Sequence, residues 1–390
     1  MDSVRIGIIG FGGMGSHHAS YLAKGEVPNA TLAAICDINP ERLQAAKQLY
    51  GEKIQTFENA DALFAAKAVD AVMIATPHYY HPPLAIQGMK SGYHVLTEKP
   101  AGVYTKQVRE MNEVAAKSDR VFGVMFNQRT LASHQKMKDM VESGELGEIR
   151  RVLYVITDWF RSQAYYNSGG WRATWAGEGG GVLVNQCPHN LDLWQWICGM
   201  PTRVRAHCAF GKYHDIEVED EVTAYVEYPN GATGVFITTT GEAPGSNRFE
   251  ITGDRGKLLL EGGKLTFWRT RVPVSQFVKE SPTGFATPEV WTCDIPGGGG
   301  EAHKGITKNW VSAILKGTPL LARGEEGING VQLANAMLLS SWTDNNWVNV
   351  PVDEELFYAK LQEKIKTSTF KKQGAAGKAI EFNGTFGASA

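Results

Sequence analysis

The sequence is short of the features that mark exported, membrane-embedded or nucleic-acid-binding proteins. Its five cysteines (Cys36, Cys187, Cys198, Cys208 and Cys293) are odd in number, scattered and without a C-x-x-C pair. That excludes a disulfide framework and a cysteine zinc site, and it fits reduced thiols. No run of 18 apolar residues occurs, and "MDSVRIGIIG" enters a strand pattern without a basic or apolar leader. Neither a membrane span nor export is expected, and the location is read as cytoplasmic. Lys and Arg (39) nearly balance Asp and Glu (41), with no basic block, so the electrostatic footprint of a nucleic-acid binder is missing. No H-E-x-x-H or comparable spacing joins the histidines, and no metal site is expected. What is present, 43% hydrophobic residues in a chain of 390, gives a globular protein long enough for two domains and suited to a small-molecule partner.

The chain changes rhythm near its first third. From residue 4 to about 127, the runs "RIGIIG", "LAAICD", "AVMIAT", "YHVL" and "VFGVMF" alternate with helical segments such as "NPERLQAAKQLY". Unbroken apolar strands spaced by helices suit a parallel sheet covered on both faces, a doubly wound α/β Rossmann domain. Beyond "ASHQKMKDMVESGELG" long alternating strands take over, with Asn230-Gly231 as a hairpin turn in "EVTAYVEYPNGATGVFITTT", which predicts an α+β domain with a large, mostly antiparallel open sheet. The expected division is a dinucleotide-binding domain over 1–128, a substrate-binding domain with an oligomerisation sheet over 129–371, and a Gly/Ala/Ser-rich tail over 372–390.

"IGIIGFGGMGSHHASYLA" places Gly10, Gly12 and Gly15 as G-x-G-x-x-G between a strand and a helix, with Phe11, Gly13 and Met14 completing the loop. The first glycine permits the turn, the second lets backbone approach a pyrophosphate, and the third lets helix and strand pack. Asp37 follows Gly15 by 22 residues at the end of the second strand, where a carboxylate accepts from the ribose hydroxyls and repels a 2'-phosphate. Ile38 and Asn39 add no cation, so NAD is favoured over NADP, with Arg42 pulling the other way.

Ligands of doubly wound sheets sit at the carboxyl ends of the strands. Thr76-Pro77 follows "AVMIAT", Glu98-Lys99-Pro100 follows "YHVL", and Asn127 ends the last strand, so these residues, with His81 in the loop after Thr76, are expected along the cofactor groove. A lysine there, partly desolvated beside a cationic ring, gives up its proton more readily than an exposed one and can exchange it with a substrate hydroxyl. Pro100 is a candidate for the cis form. By composition alone, the same triplet also reads as an ordinary surface turn.

These segments, in this order and spacing, resemble the glucose-fructose oxidoreductase, inositol dehydrogenase and rhizopine-catabolism family (Gfo/Idh/MocA). The resemblance extends over "GGGVLVNQCPHNLDLWQWICG", "FEITGDRGKLLLEGG" and "EEGINGVQLANAMLLSSW". It implies that Lys99 lies by the nicotinamide and the substrate hydroxyl, that Glu98 helps hold the turn, and that His189 is a proton-accepting site residue. Asn185 and His189, four apart, share one face if a helix begins near Asn185, and Pro188 fits only a first turn. The family's usual residue at the Asn185 position is aspartate; an amide supplies neither a proton nor a charge, so which of Lys99 and His189 is the base stays open. Upstream, Trp159, Arg161, Tyr165, Tyr166, Trp171, Arg172 and Trp175 read as a substrate lid, with aromatic faces for a sugar ring and guanidinium forks for carboxylate, phosphate or hydroxyls; the aromatics would equally serve as core or interface. His17 and His18 read as ordinary residues of the first helix.

The expectation is an NAD-dependent oxidoreductase acting on a secondary hydroxyl of a sugar, glycoside or cyclitol, with Lys99 and His189 as catalytic residues. Arg161, Tyr165, Trp171, Arg172, Trp175 and Asn185 join them in binding substrate, and the assembly is a homodimer or homotetramer. Two alternatives remain: a redox-neutral glycosidase working through a transient 3-keto sugar, and a non-catalytic sugar and NAD sensor.

Overall fold

Short apolar runs with both faces buried fold as parallel strands. In the computed structural model, which describes residues 2–369, β1 (Val4–Ile9), β2 (Ala30–Cys36), β3 (Gln55–Phe57), β4 (Ala71–Ile74), β5 (His94–Thr97) and β6 (Phe122–Val124) pair in parallel in the order β3-β2-β1-β4-β5-β6. Ile6, Ile8, Ile35, Met73 and Leu96 fill one apolar core, and Val72, Ile74, Val95 and Phe64 another, as expected when helices cover both faces. Winding reverses between β1 and β4, and the crevice at their carboxyl ends is where ligands of such sheets bind. β3 is the strand the sequence pattern does not show: three residues, "QTF", are too short and too polar to register as a run.

The second sheet is built from β7 (Ile149–Ile156), β8 (Arg203–Phe210), β9 (Glu219–Glu227), β10 (Thr233–Thr239), β11 (Asn247–Gly253), β12 (Gly256–Glu261), β13 (Lys264–Thr270), β14 (Val290–Ile295) and β15 (Val348–Asn349). Their order is β14-β13-β12-β11-β7-β10-β9-β8-β15, antiparallel except where β10 runs parallel to β7. In β9 Val222, Ala224 and Val226 point inward while Thr223 and Tyr225 face out. The turn into β10 is set by Asn230, whose Oδ1 accepts from Ala232 N at 3.1 Å, and by Gly231 at φ +81°, a conformation that favours glycine.

By packing, the chain groups into two units. One comprises residues up to Thr130, Gly177–Gly179 and Glu301–Val331; the other comprises Leu131–Ala176, Gly180–Gly300 and the chain from Gln332 onward. A division read along the sequence, cutting once at 128, does not show the return of Glu301–Val331 to the first unit. That segment returns because its helix, Ala302–Lys316, carries Ile306, Trp310 and Val311 into the first unit's core. The tail at 372–390 lies outside the described residues. Among the described residues no helix is long and apolar enough to cross a membrane.

Candidate active site

In the first unit the loop between β1 and the helix Gly13–Ala23 is shaped by its glycines. Gly10 takes φ +94°, and a Cβ on Gly15 would sit 1.8 Å from the Gly10 carbonyl oxygen, so strand and helix touch there without a side chain between them. A Cβ on Gly12 would meet only Arg42 Nη1, at 3.9 Å; the space over it is open. Asp37, buried at the end of β2, accepts from Phe11 N at 2.7 Å, Asn39 N at 2.8 Å and Arg42 Nη1 at 3.3 Å. A carboxylate has about four lone-pair sites, so one remains for a hydroxyl. Thr76 Oγ1, beyond β4, is buried without a hydrogen-bond partner among the described residues. Open backbone at a helix N-terminus, spare carboxylate capacity and an orphaned hydroxyl together fit a dinucleotide.

The half-buried Lys99 follows β5, joined to Pro100 by a cis peptide. The turn rests on a buried polar network. Glu98 Oε2 accepts from Lys99 N at 3.1 Å, and its Oε1 lies 2.7 Å from His18 Nε2. His18 Nδ1 meets Tyr21 Oη at 2.8 Å, Tyr21 Oη meets Thr307 Oγ1 at 2.8 Å, and Thr307 Oγ1 donates to the His303 carbonyl at 2.9 Å. A carbonyl only accepts, so Thr307 donates to it, and His18 joins this chain of hydroxyls to the Glu98 carboxylate through its two ring nitrogens. Burial alone would raise the Glu98 pKa, but the hydrogen bond and charge of His18, with His303 and Lys99, hold it down at about 2. Burial pushes His303 down to about 3. His81, expected along the groove, has both ring nitrogens engaged, at 2.7 Å from the carbonyls of Pro100 and Thr76. It ties the loops after β4 and β5 together instead of facing a ligand. Two carbonyls accept from this ring only when it is an imidazolium; burial opposes that charge and lowers the His81 pKa. Asn127 is buried with Nδ2 3.4 Å from His303 Nδ1 and with Oδ1 lacking a partner among the described residues.

In the second unit the helix Pro188–Cys198 begins with proline at its first position, where the missing N–H costs nothing. His189 lies in the first turn, buried. Asn185 lies three residues ahead of the helix, in a turn closed by its N–H on the Gly181 carbonyl at 2.9 Å, so the two do not share a helical face as the spacing suggested; Pro188 delays the start. Glycine at 181 admits backbone and not a ligand: a Cβ there would lie 1.9 Å from the Glu219 carbonyl oxygen. The aromatic segment divides. Trp175 is a correction to the lid reading: it is buried edge-on to Trp342, ring centroids 5.4 Å apart, and packs on Phe210, which makes it core. Tyr166 is buried against His214. Arg161, Tyr165, Trp171 and Arg172 stay partly exposed, with the Arg161 and Arg172 guanidinium carbons 5.1 and 4.6 Å from the Tyr165 ring centre. Asn190, which the sequence did not single out, bridges Trp159 Nε1 at 3.1 Å and Tyr154 Oη at 2.9 Å.

His18, Tyr21 and His303 were missed as support for the Lys99 turn. A signal existed for the first: Gly15, His18, Ala19 and Leu22 form the inward stripe of their helix, and a histidine on such a stripe needs partners.

Residues 4–126 match the model of an oxidoreductase family with an NAD-binding Rossmann fold, and residues 134–259 match a GFO/IDH/MocA C-terminal domain. D-glucoside 3-dehydrogenase of Escherichia coli K12 is 30% identical over 248 residues, 58% of this chain and 68% of that protein. Inositol 2-dehydrogenase of Rhizobium meliloti is 24% identical over 87% of this chain and 97% of that protein. Among solved structures, the WlbA dehydrogenase of Bordetella pertussis, in complex with NADH and UDP-GlcNAcA, superposes with a TM-score of 0.75 at 27% identity, covering 90% of this chain and all of that one.

Proposed function

The chain belongs to the Gfo/Idh/MocA oxidoreductase family, with an NAD-binding Rossmann fold, and from that premise we propose a dehydrogenase acting on a secondary hydroxyl of a sugar, glycoside or cyclitol. The observation that carries the reading is Lys99 at the carboxyl end of β5, on a turn held by a buried, ionised Glu98. Relatives named for glucoside and inositol oxidation support the substrate class, and relatives bound to NADH support the cofactor.

A bound nicotinamide dinucleotide supplies the hydride acceptor. The loop from Gly10 to Gly15, including Phe11, Gly13 and Met14, offers backbone N–H groups to its pyrophosphate, and Thr76 and Pro77 flank the crevice. Asp37 takes a ribose hydroxyl, and Ile38 beside it is exposed and uncharged, so NAD is preferred over NADP. Lys99 and His189 exchange the hydroxyl proton, and Asn185 donates an amide hydrogen bond to the ring. Arg161, Tyr165, Trp171 and Arg172 orient the sugar. The protein assembles as a homo-oligomer through the outward face of the second sheet, where Tyr225 and Trp347 meet edge to face at 5.7 Å.

Lys99→Met tests the reading. NADH formation from a panel of sugars and inositols should fall by about 10² or more, with NADH binding by fluorescence retained; unchanged turnover removes the proton-transfer role. Hydrolysis of a glycoside without net NADH formation would transfer the same residues to the redox-neutral alternative.

A further inference from the structure

We infer that Glu217 is a positioning residue for substrate binding: its carboxylate ties the segment that carries Tyr165, Trp171 and Arg172 to Ser368 and Thr369 and holds it ordered before substrate arrives. This rests on the proposed reading of Tyr165, Trp171 and Arg172 as sugar-orienting and adds the residue that keeps them in place.

From residue 167 to 176 the segment contains no helix or strand, so its shape depends on contacts from outside it. That shape carries a cost. Ala173 takes φ +56°, the left-handed region, where a Cβ costs roughly 1–2 kcal/mol and which a residue other than glycine keeps only when its surroundings impose it. Glu217 supplies the constraint on both sides of Thr174. Its backbone N–H donates to the Ala173 carbonyl at 3.4 Å, and its Oε1 accepts from Trp175 N at 2.6 Å. The other end of the segment is fastened to the same stretch of chain. Gln163 Nε2 donates to the Asp215 carbonyl at 3.3 Å, and Gln163 Oε1 accepts from Asp215 N at 2.9 Å. Residues 215–217 therefore grip the segment at both ends, with Tyr165, Trp171 and Arg172 between.

The carboxylate is fully engaged in this grip. Oε1 accepts from Trp175 N and Ser368 Oγ, and Oε2 accepts from Thr369 N at 2.7 Å and Thr369 Oγ1 at 2.9 Å. These donors fill the roughly four lone-pair sites of a carboxylate, so Glu217 acts through what it holds and not by touching a ligand. Ser368 Oγ also accepts from Ala176 N at 3.3 Å. Ser368 and Thr369 are anchored in turn by the helix Glu354–Lys366, whose buried Phe357 stacks on Trp342 at 5.3 Å; Trp342 meets the Trp175 ring at 5.4 Å. Each hydrogen bond to an ionised carboxylate contributes about 1.5–3 kcal/mol, enough together to offset the cost at Ala173. A segment ordered in advance loses less freedom when a sugar binds, which raises affinity without a new contact.

Glu217→Gln and the double variant Ser368→Ala/Thr369→Val test this in the whole chain. Glutamine keeps the shape but offers one acceptor oxygen and turns N–H groups towards N–H donors; the double variant leaves Glu217 intact and removes two of its hydroxyl donors. The readouts are NADH formation from D-glucose, methyl β-D-glucoside and myo-inositol, NADH affinity by fluorescence, and the rate of tryptic cleavage after Arg172 by mass spectrometry. The expected result is a KM about tenfold higher in Glu217→Gln and about threefold higher in the double variant, with kcat within about twofold. NADH affinity should be unchanged, and cleavage after Arg172 should be faster in both. A partly unfolded preparation would instead lower the apparent kcat and leave KM where it was. A KM unchanged in either folded variant, whatever happens to kcat, overturns the inference while leaving the dehydrogenase reading intact. If Glu217→Gln does not fold, the double variant decides on the same readouts. If none of the three compounds yields NADH, the dehydrogenase reading fails instead, and cleavage decides: a faster cut after Arg172 supports the grip, and an equal one overturns it.

Discussion

A buried charge behaves differently from an exposed one because removing its partner leaves it without solvent. Glu98 and His18 are both buried, so His18→Ala strands the carboxylate and should lower stability by about 3–5 kcal/mol, whereas His18→Gln, which keeps an N–H donor, should restore part of it; urea unfolding of the two variants measures the difference. Protons give a second test. His303 has a folded pKa of about 3 against its ordinary 6.5, and Glu98 about 2 against 4.5. Both are depressed, so in each case the unfolded chain binds more protons, and stability present above the ordinary pKa is lost as pH falls towards the folded one. His303 contributes from about pH 6.5 downward and Glu98 from about 4.5. The melting temperature should therefore decline from pH 7 to pH 5, and His303→Asn should make that decline shallower, leaving the share of His17, His81 and His94, whose pKa values burial also lowers, without altering the steeper fall below about 4.5. None of this was legible in the sequence beyond the triplet Glu98-Lys99-Pro100. The partners of Glu98 lie 80 residues before it and some 205 after it, and no local pattern announces a contact of that range.

Local chemistry was legible wherever a single element decides the geometry. The fingerprint loop could be read because each glycine answers to a contact within about 65 residues, whereas the helix bearing His189 starts at Pro188, three residues later than the Asn185 spacing suggested, because a proline that fits anywhere in a first turn does not say which residue of that turn it is. The loop gives a differential test. Gly15→Ala puts a methyl 1.8 Å from the Gly10 carbonyl oxygen, a backbone overlap that only separation of β1 from its helix relieves, and should cost ~3 kcal/mol or more along with dinucleotide binding. Gly12→Ala meets one flexible arginine tip at 3.9 Å, at φ −85° where alanine is at ease. It should melt within about 0.5 kcal/mol of the parent yet bind NADH at least tenfold more weakly, since the methyl enters the space that backbone must leave for a pyrophosphate. Equal NADH affinity in Gly12→Ala and the parent would move the phosphates elsewhere.

At the scale of the molecule, the chain does not finish one unit before starting the next. It passes between them after Thr130, Ala176, Gly179, Gly300 and Val331, and the sequence showed only the first of these passages because the rhythm of strands changes there and nowhere else. The later return is structural: Trp310, fully buried, and Ile306 pack into the core that holds Ile6, Ile8 and Leu96, and Arg323 bridges to Gly123 beside β6. Residues 1–130 alone would expose that face of the sheet, and losing the Trp310 side chain by itself is worth about 3–5 kcal/mol, a large share of the ~5–15 kcal/mol that holds a domain together. A fragment ending at Thr130 should therefore lack a cooperative thermal transition and fail to bind NADH, although it contains the whole fingerprint, Asp37, Thr76 and Lys99. Joining Glu301–Val331 to it through a flexible linker should recover both. Binding of NADH by the short fragment with full-chain affinity would show that the returning helix is dispensable to the nucleotide unit.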